Sequence, residues 1–384
     1  MSCPACREPA RFQGYRPKAL IGLTGPIAVD RPYYHCPHCH SGHYPGDDAL
    51  AQGHPTLTAG AERVVAYVGA IGSFVEAKPT LAEVAGLRLA ESTVQRATEA
   101  AGHRLGELLA GGHTLGPTGV GAAWDWNTDA AGERVAYISV DATGVGMQGS
   151  GAARAEGRMA YVGMVYDAVA FDPEAPADAR PIARARYLAG FHDLEGLGAQ
   201  LRRQAGQVGM DAAGVWIGLS DGGNGLDDFF RVNFPRAELI LDFYHAAGHL
   251  ADLARAWGGD AACVAARLDG WCHTMKHEGG VAVLAALEGL DRCGQSAAAL
   301  EAYRLVTGYV RRNAYRMDYP SYRAKGWQIG SGSMESACKS VVCQRLCGTG
   351  MRWGGDGADA VCHLRALFRS EPGQWEAFWN RSIN

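Results

Sequence analysis

Five apolar segments between residues 133 and 249 constrain the fold more than any other feature of the chain. Val135 to Val145 reads as a strand carrying Asp141, and Arg158 to Tyr166 and Arg184 to Ala189 read as two more. A helix is expected over about 193–207, followed by a buried strand from Ala213 that ends in Ser220-Asp221-Gly222-Gly223. A short helix from Leu226 to Val232 leads to a last strand, Ala237 to Asp242. The order is β-β-β-α-β-α-β. Adjacent antiparallel strands followed by α/β crossovers predict a mixed sheet with helices packed on it, an α/β (α+β mixed) class. Asp141 and Asp221 fall where strands of open α/β sheets end and sites form.

This strand order is that of the ribonuclease-H-like fold. The first and fourth strands are neighbours there, so Asp141 and Asp221 are expected side by side. Close carboxylates repel, which raises a pKa or demands a cation. Hard oxygen ligands suit Mg²⁺ or Mn²⁺. Glu335 lies in Gly330-Ser331-Gly332-Ser333-Met334-Glu335-Ser336-Ala337-Cys338-Lys339 and would complete three carboxylates around two ions about 4 Å apart. A plainer reading holds for each acid alone: Asp often ends a strand, and Glu in a first helical turn complements the dipole. Asp242 and His245 are either support near the site or a helix N-cap with a satisfied histidine. Lys339 meets a phosphate or pairs with Glu335 one turn away. Arg345, Arg352 and Arg365 make the C-terminal region locally basic, which suits a DNA backbone or a solvated face.

At the N-terminus, Cys3-Pro4-Ala5-Cys6 and Cys36-Pro37-His38-Cys39 form two CxxC knuckles around β-like text. Four thiolates from two tight turns predict a structural Zn²⁺ site with no open position for catalysis. The other seven of eleven cysteines are scattered through apolar text, as in a reducing, cytoplasmic protein. No signal peptide and no uncharged run of membrane-spanning length is visible. Net charge is −4, so any nucleic-acid surface must be local. Thr80 to Leu87 and a Ser92-capped helix over Thr93 to Thr98 give a helix-turn-helix layout with Gln95, Arg96 and Arg104 exposed. Residues 111–132, with Gly111, Gly116, Gly119 and Gly121, read as a linker. His273 and His277 resemble half a metal site. The expected domains are a zinc ribbon (1–48), a helix-turn-helix-like region (55–112), a catalytic domain in two parts (133–249 and 325–384) and an all-helical insertion (250–324).

The ordered set Cys3-x-x-Cys6, Arg31-Pro32-Tyr33-Tyr34-x-Cys36-x-x-Cys39, Ser139-Val140-Asp141, Ser220-Asp221-Gly222, Leu241-Asp242-Phe243-Tyr244-His245, Gly330 to Lys339 and Gly350-Met351-Arg352-Trp353 resembles bacterial insertion-sequence transposases of the Kra type, within the DDE class. The resemblance runs along nearly the whole chain. It implies Asp141, Asp221 and Glu335 as catalytic acids, two Mg²⁺ or Mn²⁺ ions, terminal-repeat and target DNA as partners, a homodimer or higher assembly, and a nucleoid location. The chain departs from the family pattern at Ala142, where a glycine is expected. It departs again at Gly223-Asn224-Gly225, where an aromatic strand end is expected. Two other functions fit the same text: a nuclease without strand transfer, and a silent DNA-binding protein.

Overall fold

The computed structural model describes residues 1–47, 54–118, 121–149, 156–172, 181–223, 225–380 and 383. Gly119 and Asn224, singled out above, lie outside them. The N-terminal ribbon is an antiparallel hairpin of β1 (Arg11–Gly22) and β2 (Gly25–His35), with a short β3 (Gly42–His43) paired to β2. Gly25 makes the turn at φ 115°, a region L side chains avoid.

Three helices follow: α1 (Ala59–Ile71), α2 (Phe74–Ala85) and α3 (Glu91–Ala110). Ser73 and Glu76 form a reciprocal capping box at the start of α2, and Gly86 ends it in the left-handed region. Ser92 does not cap α3. The N-cap is Ala90, without a side-chain bond, and Ser92 is inside the helix, its carbonyl accepting from Arg96 Nε. Ala61, Val65, Ala77, Leu81, Leu87, Val94 and Ala97 give these helices their own core. The C-terminal half of α3 instead packs on α13 (Gly355–Arg369). Gly102 makes that approach possible, since a Cβ there would sit 2.1 Å from the Ala360 carbonyl oxygen.

The main sheet contains β4 (Val135–Gly146), β5 (Gly157–Ala168), β6 (Ile182–Gly190), β7 (Val215–Ser220) and β8 (Glu238–Leu241). Its order is β6-β5-β4-β7-β8. The first three strands are antiparallel, and β7 pairs parallel with both β4 and β8. The chain is therefore a mixed α/β protein on a five-stranded mixed sheet. Along β4 the side chains alternate between two cores. Ala136, Ile138 and Val140 face α4 (Leu194–Gln207), α5 (Leu226–Asn233), α3 and the C-terminal α14 (Gln374–Trp379). Val135 and Tyr137 face the other way, into a core shared with α6 (Phe243–Ala256), α7 (Ala261–Glu278), α8 (Gly280–Glu288), α9 (Ala297–Asn313) and α10 (Tyr319–Ala324). The all-helical stretch thus covers the face that carries Asp141.

Residues 111–132 are not a free linker where they are described. Leu115, Trp124 and Trp126 are buried in the second core. Trp124 Nε1 donates to Glu371 Oε2 at 2.7 Å, and Trp327 Nε1 donates to Asp129 Oδ2 at 2.9 Å. The glycines let this segment bend tightly around apolar anchors. Among the described residues, no helix is long and apolar enough to cross a membrane.

Arg104 is not a solvated DNA contact. It bonds the fully buried Glu62 at 3.0 Å and lies over the Phe378 and Trp379 rings. Arg104→Met is expected to strand the Glu62 carboxylate without a cation and to cost about 3 kcal/mol. Urea unfolding measures this, and a change near zero contradicts the assignment.

Candidate active site and metal centre

The four ribbon cysteines converge. Cys3 and Cys39 sulfurs are 3.6 Å apart, Cys6 and Cys36 sulfurs are 3.5 Å apart, and all four lie within 4.8 Å of one another. A tetrahedral zinc with bonds of about 2.3 Å needs sulfur separations of about 3.8 Å, so the set fits that ion. The two knuckles share one backbone device. Arg7 and His40, each directly after the second cysteine of its pair, are the only non-glycine residues with positive φ among those described. That bend lets both thiols of a knuckle face one point. Cys3, Ala10 and Cys36 are the buried residues of the ribbon's own cluster, too few for an apolar core to hold it.

The carboxylates come from the sheet register. Parallel pairing sets Ser139 beside Leu219 and Ser220 beside Leu241. Two residues past that last β4–β7 pair stand Asp141, on β4, and Asp221, just beyond the end of β7, near enough for one charge to act on the other. Asp242 follows Leu241 on the next strand. Burial raises the Asp141 pKa above the usual carboxylate range. The Ala142 amide opposes this at 2.7 Å, and the neighbouring Asp221 charge adds to the rise. Asp221 Oδ1 accepts from the Gly223 amide at 2.8 Å, and its carbonyl accepts from the Tyr309 hydroxyl at 3.1 Å. His249 packs on Tyr309 in a tilted pair with centroids 4.1 Å apart, and His245 lies 5.0 Å from His249. Burial lowers the His249 pKa, so its ring is neutral near pH 7.

Asp242 is buried and caps α6, accepting from the Tyr244 amide at 2.9 Å and from the Ser331 hydroxyl. Of its two sequence readings, the structure shows the N-cap, with an added grip on the Gly330–Gly332 stretch. His245 is exposed beside it. Neither Gly330 nor Gly332 has positive φ. Gly330 serves close approach instead: a Cβ there would lie 2.5 Å from Tyr244 Cε2.

Glu335 sits on α11 (Gly332–Ala337), which packs on β4 and runs into a π turn, Cys338–Cys343, and then α12 (Gln344–Leu346). Cys338, one turn after Glu335, places its thiol 3.7 Å from Asp141 Oδ2. Cys343 lies 3.4 Å from Thr143 Oγ1, and Cys347 donates to the Gly144 carbonyl at 3.4 Å. The segment therefore tracks β4 along the face of Asp141. Glu335 itself is exposed. Among the described residues, the four cysteines are the only metal-ligating set with all ligand atoms within 4.8 Å, so the three carboxylates are spread more widely than that. His273 and His277 lie with ring centroids 4.4 Å apart, tilted, and likewise belong to no such set.

The expected DNA contacts divide. Gln95, Arg96, Lys339 and Arg352 are exposed. Gln95 and Arg352 line one cleft of about 560 Å³, together with Gln148, Glu91, Glu99 and Asp356. Arg345 borders the same cleft but is 2% exposed, its guanidinium engaged within the protein. Its guanidinium lies over Phe74 and Trp353, and its Nε donates to the Gly69 carbonyl at 3.0 Å. Arg365 is buried as well, donating to the Val341 and Ala70 carbonyls. Sequence reading missed Cys338, Tyr309 and His249. Cys338 had a signal, three residues beyond Glu335; the other two are brought to Asp221 by helix packing alone.

Two expectations follow from this geometry. A carboxyl with a raised folded-state pKa holds a proton that the unfolded chain releases, so its stability contribution falls as pH climbs through that window. Asp141→Asn is therefore expected to raise the Tm at neutral pH and to leave it nearly unchanged at a pH below the ordinary Asp range. Thermal unfolding at both values checks this, and an unchanged neutral Tm contradicts it. Chelation of the ribbon metal, or Cys36→Ser, is expected to unfold residues 1–47 while the β4–β8 sheet stays protected, as read by amide hydrogen exchange. Neither a family model nor a curated relative matches the chain, so the chemistry of the site is judged from its geometry.

Proposed function

We propose that the chain is a DDE-type transposase that cleaves and joins DNA strands at insertion-sequence ends, on a ribonuclease-H-like sheet. The observation that carries this reading is the placement of Asp141 on β4 beside Asp221, just past the end of β7, with the helix of Glu335 packed along β4. The sheet order, three antiparallel strands and then two parallel additions on the other side of β4, supports the fold assignment. Burial raises the Asp141 pKa and the neighbouring Asp221 charge adds to the rise, so a cation between the two would be favoured.

Asp141, Asp221 and Glu335 would hold two Mg²⁺ or Mn²⁺ ions. Such ions supply activation of a water or 3′-hydroxyl and stabilisation of the leaving oxygen in an in-line phosphoryl displacement. The chain's own residues do the positioning. Asp242 holds Ser331 and so fixes the start of the Glu335 helix. Tyr309 and the Gly223 amide fix Asp221 at its carbonyl and carboxylate. Glu335, exposed in the first turn of that helix, would turn toward the pair. Gln95, Arg96, Lys339 and Arg352 offer exposed donors for DNA, and the zinc ribbon is a further DNA-facing module in this reading. Pairing two element ends calls for at least a dimer.

The test is cleavage and joining of the element's terminal repeats with Mg²⁺ or Mn²⁺. Asp141→Ala, Asp221→Ala and Glu335→Gln are each expected to lose roughly 100-fold or more of both activities. Unchanged activity in the variants contradicts the site. Cleavage without joining favours a nuclease, and DNA binding without cleavage favours a silent DNA-binding protein.

A further inference from the structure

A second cluster of metal-ligating side chains lies where β6 meets α13, and the carboxylate site does not use it. Gly190 ends β6, and His192 follows in the turn before α4. On α13, Asp359 and His363 stand one turn apart, on one helix face. A Cβ on Gly190 would lie 2.6 Å from Asp359 Oδ1, 2.9 Å from His192 Nε2 and 3.1 Å from His363 Nε2. Three ligating atoms thus surround one small space that glycine alone leaves open.

These atoms are not arranged as an ordinary buried histidine pair. His192 Nε2 is removed from solvent and has no hydrogen-bond partner. His363 is 8% exposed, and its Nε2 lies 3.8 Å from Asp359 Oδ1, too far for a hydrogen bond. Buried ring nitrogens are ordinarily paired, so an unpartnered one facing a carboxylate and a second imidazole points to a ligand. The Phe191 amide donates to Asp359 Oδ1 at 2.7 Å and orients that carboxylate, the outer hydrogen bond that metal-ligating carboxylates carry.

We propose that His192, Asp359 and His363 bind a divalent transition-metal ion, with zinc the probe of choice, as two imidazoles and one carboxylate completed by water. The three atoms are spread more widely than the ribbon sulfurs. A bound ion would draw the His192 ring inward and give its Nε2 the partner it lacks. The ion ties the end of β6 to α13, and through the Gly102–Ala360 contact to α3. The site is separate from the ribbon and from the carboxylates, so it stands whether or not the chain cuts DNA.

The test uses the full-length protein loaded with zinc, dialysed, and analysed for bound metal. Wild type is expected to keep a second zinc equivalent beyond that of the ribbon. His192→Ala and Asp359→Asn are each expected to lose the second equivalent and retain the first, and Cys36→Ser is expected to retain the second. A titration with Co²⁺ needs no variant: the ribbon gives thiolate charge-transfer absorption, and the second site gives weaker d–d bands without it. Zinc wholly accounted for by the ribbon, or a second equivalent that survives both His192→Ala and Asp359→Asn, overturns the proposal. So does a Co²⁺ titration that ends with the thiolate signal.

Discussion

The parallel pairing of β4 with β7, in the register that sets Ser139 beside Leu219, is the constraint on which the candidate site depends. A one-residue slip would turn Asp141 to the opposite face and separate it from Asp221. In the observed register the two acids share a face, and burial together with the Asp221 charge raises the Asp141 pKa. The next strand extends the same logic, bringing Asp242 to the neighbouring position, where its carboxylate holds α6 and Ser331. Tyr244, on the first turn of α6, lies against Gly330. The strand ends therefore fix both the acid pair and the entry of the helix that carries Glu335.

Buried arginines hold the other side of that helix. The π turn at Cys338–Cys343 disrupts the regular helical ladder, and such turns cluster at functional sites. Arg365 donates to the carbonyls of Ser340 and Val341 within it. The same guanidinium reaches the Ala70 carbonyl, and Arg345 reaches Gly69, both in the last turn of α1, where helix carbonyls lack partners of their own. Burial lowers both guanidiniums to about 10, so they remain charged near neutral pH. Two basic residues that suggest DNA binding in the sequence thus join α1, the π turn and α13 into one unit.

Much of the architecture was legible because it rests on local pattern. The knuckles Cys3-x-x-Cys6 and Cys36-x-x-Cys39 encode their own turns. The apolar strands from Val135 to Asp242 encode their alternation, and their order restricts the sheet. What was illegible depends on contacts far apart in sequence. Arg104 and Arg345 look like surface cations until Glu62 and the Phe74–Trp353 pair are seen beside them. Ser92 looks like a cap, but the chain enters α3 two residues earlier, at Ala90. The segment 111–132 looks loose because its glycines are frequent, yet Trp124 and Trp126 anchor it through side-chain hydrogen bonds to Glu371 and Gly209. The π turn has no sequence signature at all, and with it went the placement of Cys338 against Asp141.

The central claim is that Asp141, Asp221 and Glu335 form one cation site. The most direct measurement is a crystal structure of the protein soaked in Mn²⁺, with the ion located by anomalous scattering. The account predicts a peak between the Asp141 and Asp221 carboxylates, with Glu335 turned inward to meet it. A protein that takes up Mn²⁺ elsewhere, or binds it between the two aspartates with Glu335 still facing solvent when DNA is present, contradicts the claim.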